Sequence, residues 1–177
     1  QTWKDSIYRQ REQLAYKLRE PLARLGEQCF PAWGDRESLN RILLDGLATV
    51  PHCSWLYVLG TDGMQICDNI GHAGIAPGHY GRDRSQRPYM QEHVPPWGFL
   101  LSDAYISLLS NRPSLTALQV IRSEGQTLGY LGADFDLRDL PVDSELYEEP
   151  GSWRQIKGDP AIRSTLFQQT RVESPMD

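Results

Sequence analysis

No window of this sequence approaches the roughly 18 consecutive apolar residues that a membrane-crossing helix needs, so nothing in it reads as a transmembrane span. The opening residues Gln1-Thr2-Trp3-Lys4-Asp5-Ser6 are polar and carry no signal-peptide pattern. Cysteine is scarce: Cys29, Cys53 and Cys67 make an odd count without metal-ligand spacing, which argues against a disulfide framework or a zinc site. They read as buried, inert thiols, a usage that suits a reducing compartment. An excess of basic charge is also missing. Eighteen Lys and Arg stand against 23 Asp and Glu, a net charge of −5, and the basic residues are mixed with acids, so nucleic acid is a poor partner. There is no glycine-rich phosphate loop with a following lysine and no nucleophile elbow. His52, His72, His79 and His93 lack metal-helix spacing and read as solvated or locally bonded. Asp134 and Asp136 alternate with Phe135, which puts both carboxylates on one face of a strand, yet nothing supplies a nucleophile or a metal partner. The parts of an enzyme are not assembled here, and no cofactor is expected.

What is present is enough for one real core. The chain has 177 residues, 40% of them hydrophobic, with five tryptophans. Its ends read as those of an excised piece of a longer protein, which leaves a flanking membrane segment open. Residues 6–29 predict a long helix, with Leu14, Leu18, Leu22, Leu25 and Cys29 on one stripe and charges on the other faces. Pro21 inside that pattern is expected to kink or divide it. The stripe suits packing on its own domain, on a partner's equivalent helix, or on both. A second helix is expected over 35–49, capped by Asp35, faced by Leu39, Ile42, Leu43 and Leu47, and stopped by Pro51.

The period then changes from 3.6 to 2. Strands are expected over 54–59 and 64–70 around a Thr61-Asp62-Gly63 turn, then over 99–107, 115–123 and 128–137, with 71–86 a glycine-rich loop. Two helices followed by five strands with short late connections predict an α+β domain with an antiparallel sheet. A last helix is expected over 159–173, with Asp159 as cap and Pro160 in its first turn. The organisation is then a long N-terminal helix over 1–34 for signalling or dimerisation, a core over 35–140, and an extension over 141–177.

The most informative stretch is Gly81-Arg82-Asp83-Arg84-Ser85-Gln86-Arg87-Pro88-Tyr89-Met90. Arginine offers a planar fork matched to a carboxylate, and an aromatic two residues on can wall off a small guest. The rival reading pairs these arginines with Asp83, Asp103 or surface acids and only holds the loop.

These motifs, in their order, resemble the Cache or PDC domains, PAS-like sensors that face outside the cytoplasmic membrane. The resemblance is carried by Leu56-Tyr57-Val58-Leu59-Gly60-Thr61-Asp62-Gly63, by Arg87-Pro88-Tyr89, and by Leu128-Gly129-Tyr130-Leu131-Gly132-Ala133-Asp134. It covers most of 1–140 and implies a PAS-like five-stranded antiparallel sheet behind a long N-terminal helix. It also implies ligand-binding residues. Arg87 would grip a carboxylate, Tyr89 would close the pocket, Tyr105 would supply a hydroxyl, and Asp134 would take an ammonium group. Met90 stands where relatives often have a second aromatic and would line the pocket, and Asp103 joins the candidate set. Asp134 bridged internally to Arg87 or Arg84 is the competing reading.

The function implied is a small-molecule sensor of a bacterial-type signalling protein, binding an amino acid or related amine or carboxylate and relaying it through the terminal helices to an output domain outside this chain. A PAS-like haem or flavin carrier and an unliganded dimerisation module are the rivals. The resemblance implies an extracytoplasmic place on a membrane-anchored protein, whereas the cysteines suit a cytoplasmic one.

Overall fold

The computed structural model describes residues 3–108 and 110–140, so the expected helix over 159–173 and the extension over 141–177 lie outside the described residues. Helix α1, Trp3–Cys29, follows from the stripe: Leu14, Leu18, Leu22, Leu25 and Cys29 are all buried. It runs through Pro21 without being divided, because buried Leu18, Leu22 and Leu25 hold both sides of the proline against the core. Helix α2, Arg36–Gly46, starts where expected, with the Asp35 carboxylate accepting from the Ser38 amide at 3.2 Å. Its end tightens into a 3-10 turn over Leu47–Thr49.

The sheet has seven strands rather than the expected five: β1 Trp55–Gly60, β2 Asn69–Gly71, β3 Gly74–Ala76, β4 Phe99–Leu101, β5 Tyr105–Ile106, β6 Pro113–Ser123 and β7 Gln126–Asp136. Their order is β3-β2-β1-β7-β6-β4, with β5 also on β6, and every pairing is antiparallel. Three departures separate the observed sheet from the expected one. The return from the first turn does not pair continuously over 64–70. Asp68 instead turns to α2, where its carboxylate accepts from Arg36 Nε and Nη2, each at 2.9 Å, and from the Asn40 amide at 2.6 Å, and the regular ladder with β1 begins only at Ile70. The glycine-rich loop hides β3, a short hairpin partner of β2. The strand expected over 99–107 splits into β4 and β5, because the Leu101 and Ser102 carbonyls accept from Arg11 of α1 at 3.0 and 2.8 Å. At the break the Ser102 hydroxyl substitutes for a ladder carbonyl by accepting from the Thr116 amide at 3.0 Å.

The sheet separates two interiors. Leu56, Val58, Ala117, Leu131, Ala133 and Phe135 join the α1 stripe in the main apolar core. The residues between them face the other way, where Tyr57, Leu59, Leu118, Tyr89 and Tyr105 form a second cluster under the loop. Strand alternation produces this division.

Candidate functional site

The site grows from one carboxylate on a central strand. Asp134 of β7 lies between Trp55 of β1 and Thr116 of β6, and only 9% of it is exposed. The Tyr57 hydroxyl donates to its Oδ1 at 2.6 Å and the Thr116 hydroxyl donates to the same oxygen at 2.8 Å. Thr116 has then spent its one proton, so the Tyr105 hydroxyl, 2.5 Å away, donates to Thr116 Oγ1. Tyr57 reaches Asp134 because Gly132 stands opposite it: a Cβ on Gly132 would lie 2.2 Å from the Tyr57 ring. The small-residue run ahead of Asp134 is thus a gap for an aromatic ring.

The arginine-rich loop is strapped to the segment after β1. The Arg84 amide donates to the Gly63 carbonyl and the Gln65 amide to the Arg82 carbonyl, both at 2.9 Å. Gly63 has φ +87°, and a Cβ there would meet the Ser85 backbone at 2.8 Å, so the strap needs glycine. This strap delivers Arg84, which is 5% exposed, over the Tyr57 ring at 4.2 Å. Its guanidinium donates to Gln65 Oε1 at 2.7 Å, to the Tyr89 hydroxyl at 3.1 Å and to Asn69 Oδ1 at 3.0 Å.

Arg87 is also buried, and its guanidinium lies 5.4 Å from the centre of the Tyr105 ring. Pro88–Met90 forms a single 3-10 turn that seats Tyr89 5.9 Å from Tyr105 at 48°. Met90 packs half-buried against the same cluster. Asp103 sits elsewhere: its carboxylate is 4.0 Å from Arg11 of α1, and its amide faces Glu92. The Asp83 carboxylate accepts from the Ser85 amide at 2.9 Å and, among the described residues, forms no ion pair with an arginine.

Arg87, Tyr89, Tyr105 and Asp134 are therefore brought together with Met90 at the margin, and Asp103 stands by α1. Sequence reasoning did not assign Tyr57, Thr116, Arg84, Asn69 or Gln65 to the site. Strand phase is the signal that finds the first two, since Tyr57 and Thr116 share the face of Asp134. Arg84 lies in the run already singled out, three residues before Arg87.

Burial pushes the Asp134 carboxyl above its ordinary value, opposed first by the Arg84 charge, then by the Tyr57 and Thr116 hydroxyls and by Arg87. Burial, reinforced by Asp134, pushes Tyr57 and Tyr105 well up, so both stay protonated donors. Burial works against the charge on Arg84, but Tyr89, Tyr57 and Asp134 more than offset it. Away from the site, burial lifts the Cys29 and Cys67 thiols to about 12 and raises Cys53 as well, in keeping with inert thiols. His72 bonds the Cys53 carbonyl at 2.8 Å. Among the described residues no group of three His, Cys, Asp or Glu is placed to hold a metal ion.

One polar group in the cluster stands out. Asn69 is fully buried, and its Nδ2 has no hydrogen-bond partner among the described residues. Leaving such a donor unmet costs about 1–3 kcal/mol. The arrangement brings one buried carboxylate and two buried guanidiniums together among Tyr57, Tyr89, Tyr105 and Thr116.

No family model matches the sequence, and no curated protein matches it. Solved structures do. The sensory domain of the Campylobacter jejuni chemoreceptor Tlp3, with isoleucine bound, aligns with a TM-score of 0.58 at 14% identity, over 77% of this chain and 56% of that one. The ligand-binding domain of the Pseudomonas fluorescens chemoreceptor CtaA, in complex with L-isoleucine, aligns with a TM-score of 0.52 at 14% identity, over 76% of this chain and 52% of that one. The Bacillus subtilis YkuI protein, which has an EAL domain, aligns with a TM-score of 0.55 at 20% identity, over 84% of this chain and 36% of that one. This chain spans about half the length of the two chemoreceptor domains. It has the fold of chemoreceptor ligand-binding domains, the architecture that its resemblance to Cache and PDC domains implied.

Proposed function

We propose that this chain is a sensor domain that binds an amino acid or a related small amine or carboxylate on the sheet face around Asp134. The observation that carries this reading is one buried carboxylate sharing a tyrosine-walled cluster with two buried guanidiniums, those of Arg84 and Arg87. In this reading Asp134 takes the cationic end of the guest, Arg87 its carboxylate, and Tyr89, Tyr105 and Met90 enclose it. The likeness to chemoreceptor domains solved with isoleucine supports the class of guest. Charge-assisted hydrogen bonds contribute roughly 1.5–3 kcal/mol each, so two clamps supply about 3–6 kcal/mol of the roughly 8 kcal/mol that micromolar binding needs, and burial against the aromatic wall supplies the remainder.

A route to the output is also supported. Asp134 is bonded to Thr116, Thr116 exchanges hydrogen bonds with Ser102, and the Ser102 carbonyl accepts from Arg11 of α1. A guest that displaces a hydroxyl from Asp134 thereby acts on the long helix, shifting its equilibrium by the difference in affinity for the two arrangements. Within this reading the domain faces the outside of the cytoplasmic membrane in a longer anchored protein, and its helices pair with a second copy.

Calorimetry with a panel of amino acids and organic acids is the test. Binding that is lost in both Arg87→Ala and Asp134→Ala is the expected result. Silence across the panel, or binding unaltered in both variants, removes the assignment. One observation favours the unliganded interaction module instead: Asp134, Thr116, Tyr105 and Arg84 already satisfy much of one another's bonding. Sedimentation that depends on concentration, together with a silent panel, is what that reading requires.

A further inference from the structure

We infer that Asn69 is a second recognition point of the site. Its buried amide N–H selects guests bearing a hydrogen-bond acceptor at the end remote from Asp134 over aliphatic guests of the same shape. This rests on the binding reading proposed above and narrows its guest class to small polar amino acids and their relatives with a hydroxyl, carbonyl or carboxamide oxygen.

The orientation of the amide follows from the arginine beside it. A guanidinium has donors only, so the group 2.7 Å from Arg84 Nε must be the Gln65 carbonyl oxygen. The Asn69 atom 3.0 Å from the Arg84 terminal nitrogen must likewise be an oxygen. The Gln65 amide nitrogen, once placed, donates to that same Asn69 oxygen at 2.8 Å and to the Cys67 carbonyl at 3.0 Å. Turning either amide over would set N–H against N–H. The free end of Asn69 is therefore a donor, fully buried, with no acceptor among the described residues.

Its position ties it to the site. Ile70 of β2 lies opposite Leu56 of β1, so Asn69 comes next to Tyr57 and on the face that Tyr57 occupies. Asp134 lies on the other flank of β1, opposite Trp55. Tyr57 thus separates the two, bonded to Asp134 by its hydroxyl and covered by the Arg84 guanidinium that also holds Asn69. A guest anchored by its ammonium group at Asp134 extends along Tyr57 towards Asn69. Buried donors in proteins almost always find an acceptor, and a guest oxygen is the acceptor that this placement offers.

The experiment is calorimetry on the full 177-residue chain with two isosteric pairs, L-asparagine against L-leucine and L-threonine against L-valine. In wild type the acceptor-bearing member should bind roughly tenfold more tightly, the worth of one buried hydrogen bond. In Asn69→Asp, which keeps an acceptor for Arg84 and Gln65 but puts an oxygen where the donor was, that preference should disappear. Equal affinities within both pairs in wild type, or a preference for the aliphatic members, overturns the inference and leaves the binding reading standing. Binding of none of the four overturns the inference, and silence across the full panel overturns the binding reading as well. Should Asn69→Asp fail to fold, the wild-type comparison decides alone.

Discussion

On the helix-covered face of the sheet, Leu56, Val58, Ala117, Leu131 and Phe135 join Leu18, Leu22 and Leu25 of α1 in an apolar cluster. One residue along the same strands, on the opposite face, stand Tyr57, Thr116, Gly132 and Asp134. Both faces are buried, yet by different physics. Apolar burial is non-directional and scales with area, so the helix side depends on volume and fit. The other side depends on which atom donates to which, and a change of one atom there alters charge and hydrogen-bond orientation together. An apolar core and a polar hydrogen-bonded cluster are thus placed back to back on one sheet.

Mutations separate the two faces. Leu22→Ala on the helix side should cost the most, about 3 kcal/mol by urea unfolding, and leave any ligand affinity unchanged. Gly132→Ala should cost about 2 kcal/mol, because the new methyl collides with Tyr57, and unlike Leu22→Ala it should also abolish binding at Asp134. If Gly132→Ala keeps full stability, the ring does not need the gap. Tyr105→Phe removes one hydroxyl from the chain leading to Asp134 and should cost about 1 kcal/mol, read as a lower Tm.

The smallest effect is a pH dependence. Asp134 titrates above its ordinary value in the fold, so its contribution to stability is fully present below the ordinary value of 3.8 and is lost as pH rises through the raised value. Wild type should therefore gain stability relative to Asp134→Asn as pH falls through that window. Curves that stay parallel across it contradict the burial of this carboxyl. Comparison with the variant is needed because Asp68, held below its ordinary value first by its Arg36 hydrogen bonds, has the opposite dependence: its contribution is lost as pH falls through its lowered value.

Legibility in the sequence followed the same division. The helix side was read almost completely, since the α1 stripe and the strand alternation are periodic signals that local residues set. The Asp35 cap and both long strands, β6 and β7, followed from the same rules. Strand edges were not legible where a distant side chain intervenes: Arg11 breaks β4 from β5, and Arg36 with Asn40 draws Asp68 out of pairing. On the site face the resemblance supplied Arg87, Tyr89, Tyr105 and Asp134, which converge. Asp103 was also a candidate, yet it stands by Arg11 of α1, far away in sequence, at 4.0 Å. The network of Tyr57, Arg84, Asn69 and Gln65 is set by the loop strap at Gly63, a contact between segments that no window of sequence displays.

The most direct measurement is a crystal structure of the chain grown with the tightest-binding amino acid from the panel. Density for the guest's ammonium group on Asp134 and its carboxylate on Arg87, within the walls of Tyr89 and Tyr105, is the result this account predicts. A guest seated away from Asp134, with the Tyr57 and Thr116 hydroxyls still on Oδ1 and the arginines unmoved, would contradict it.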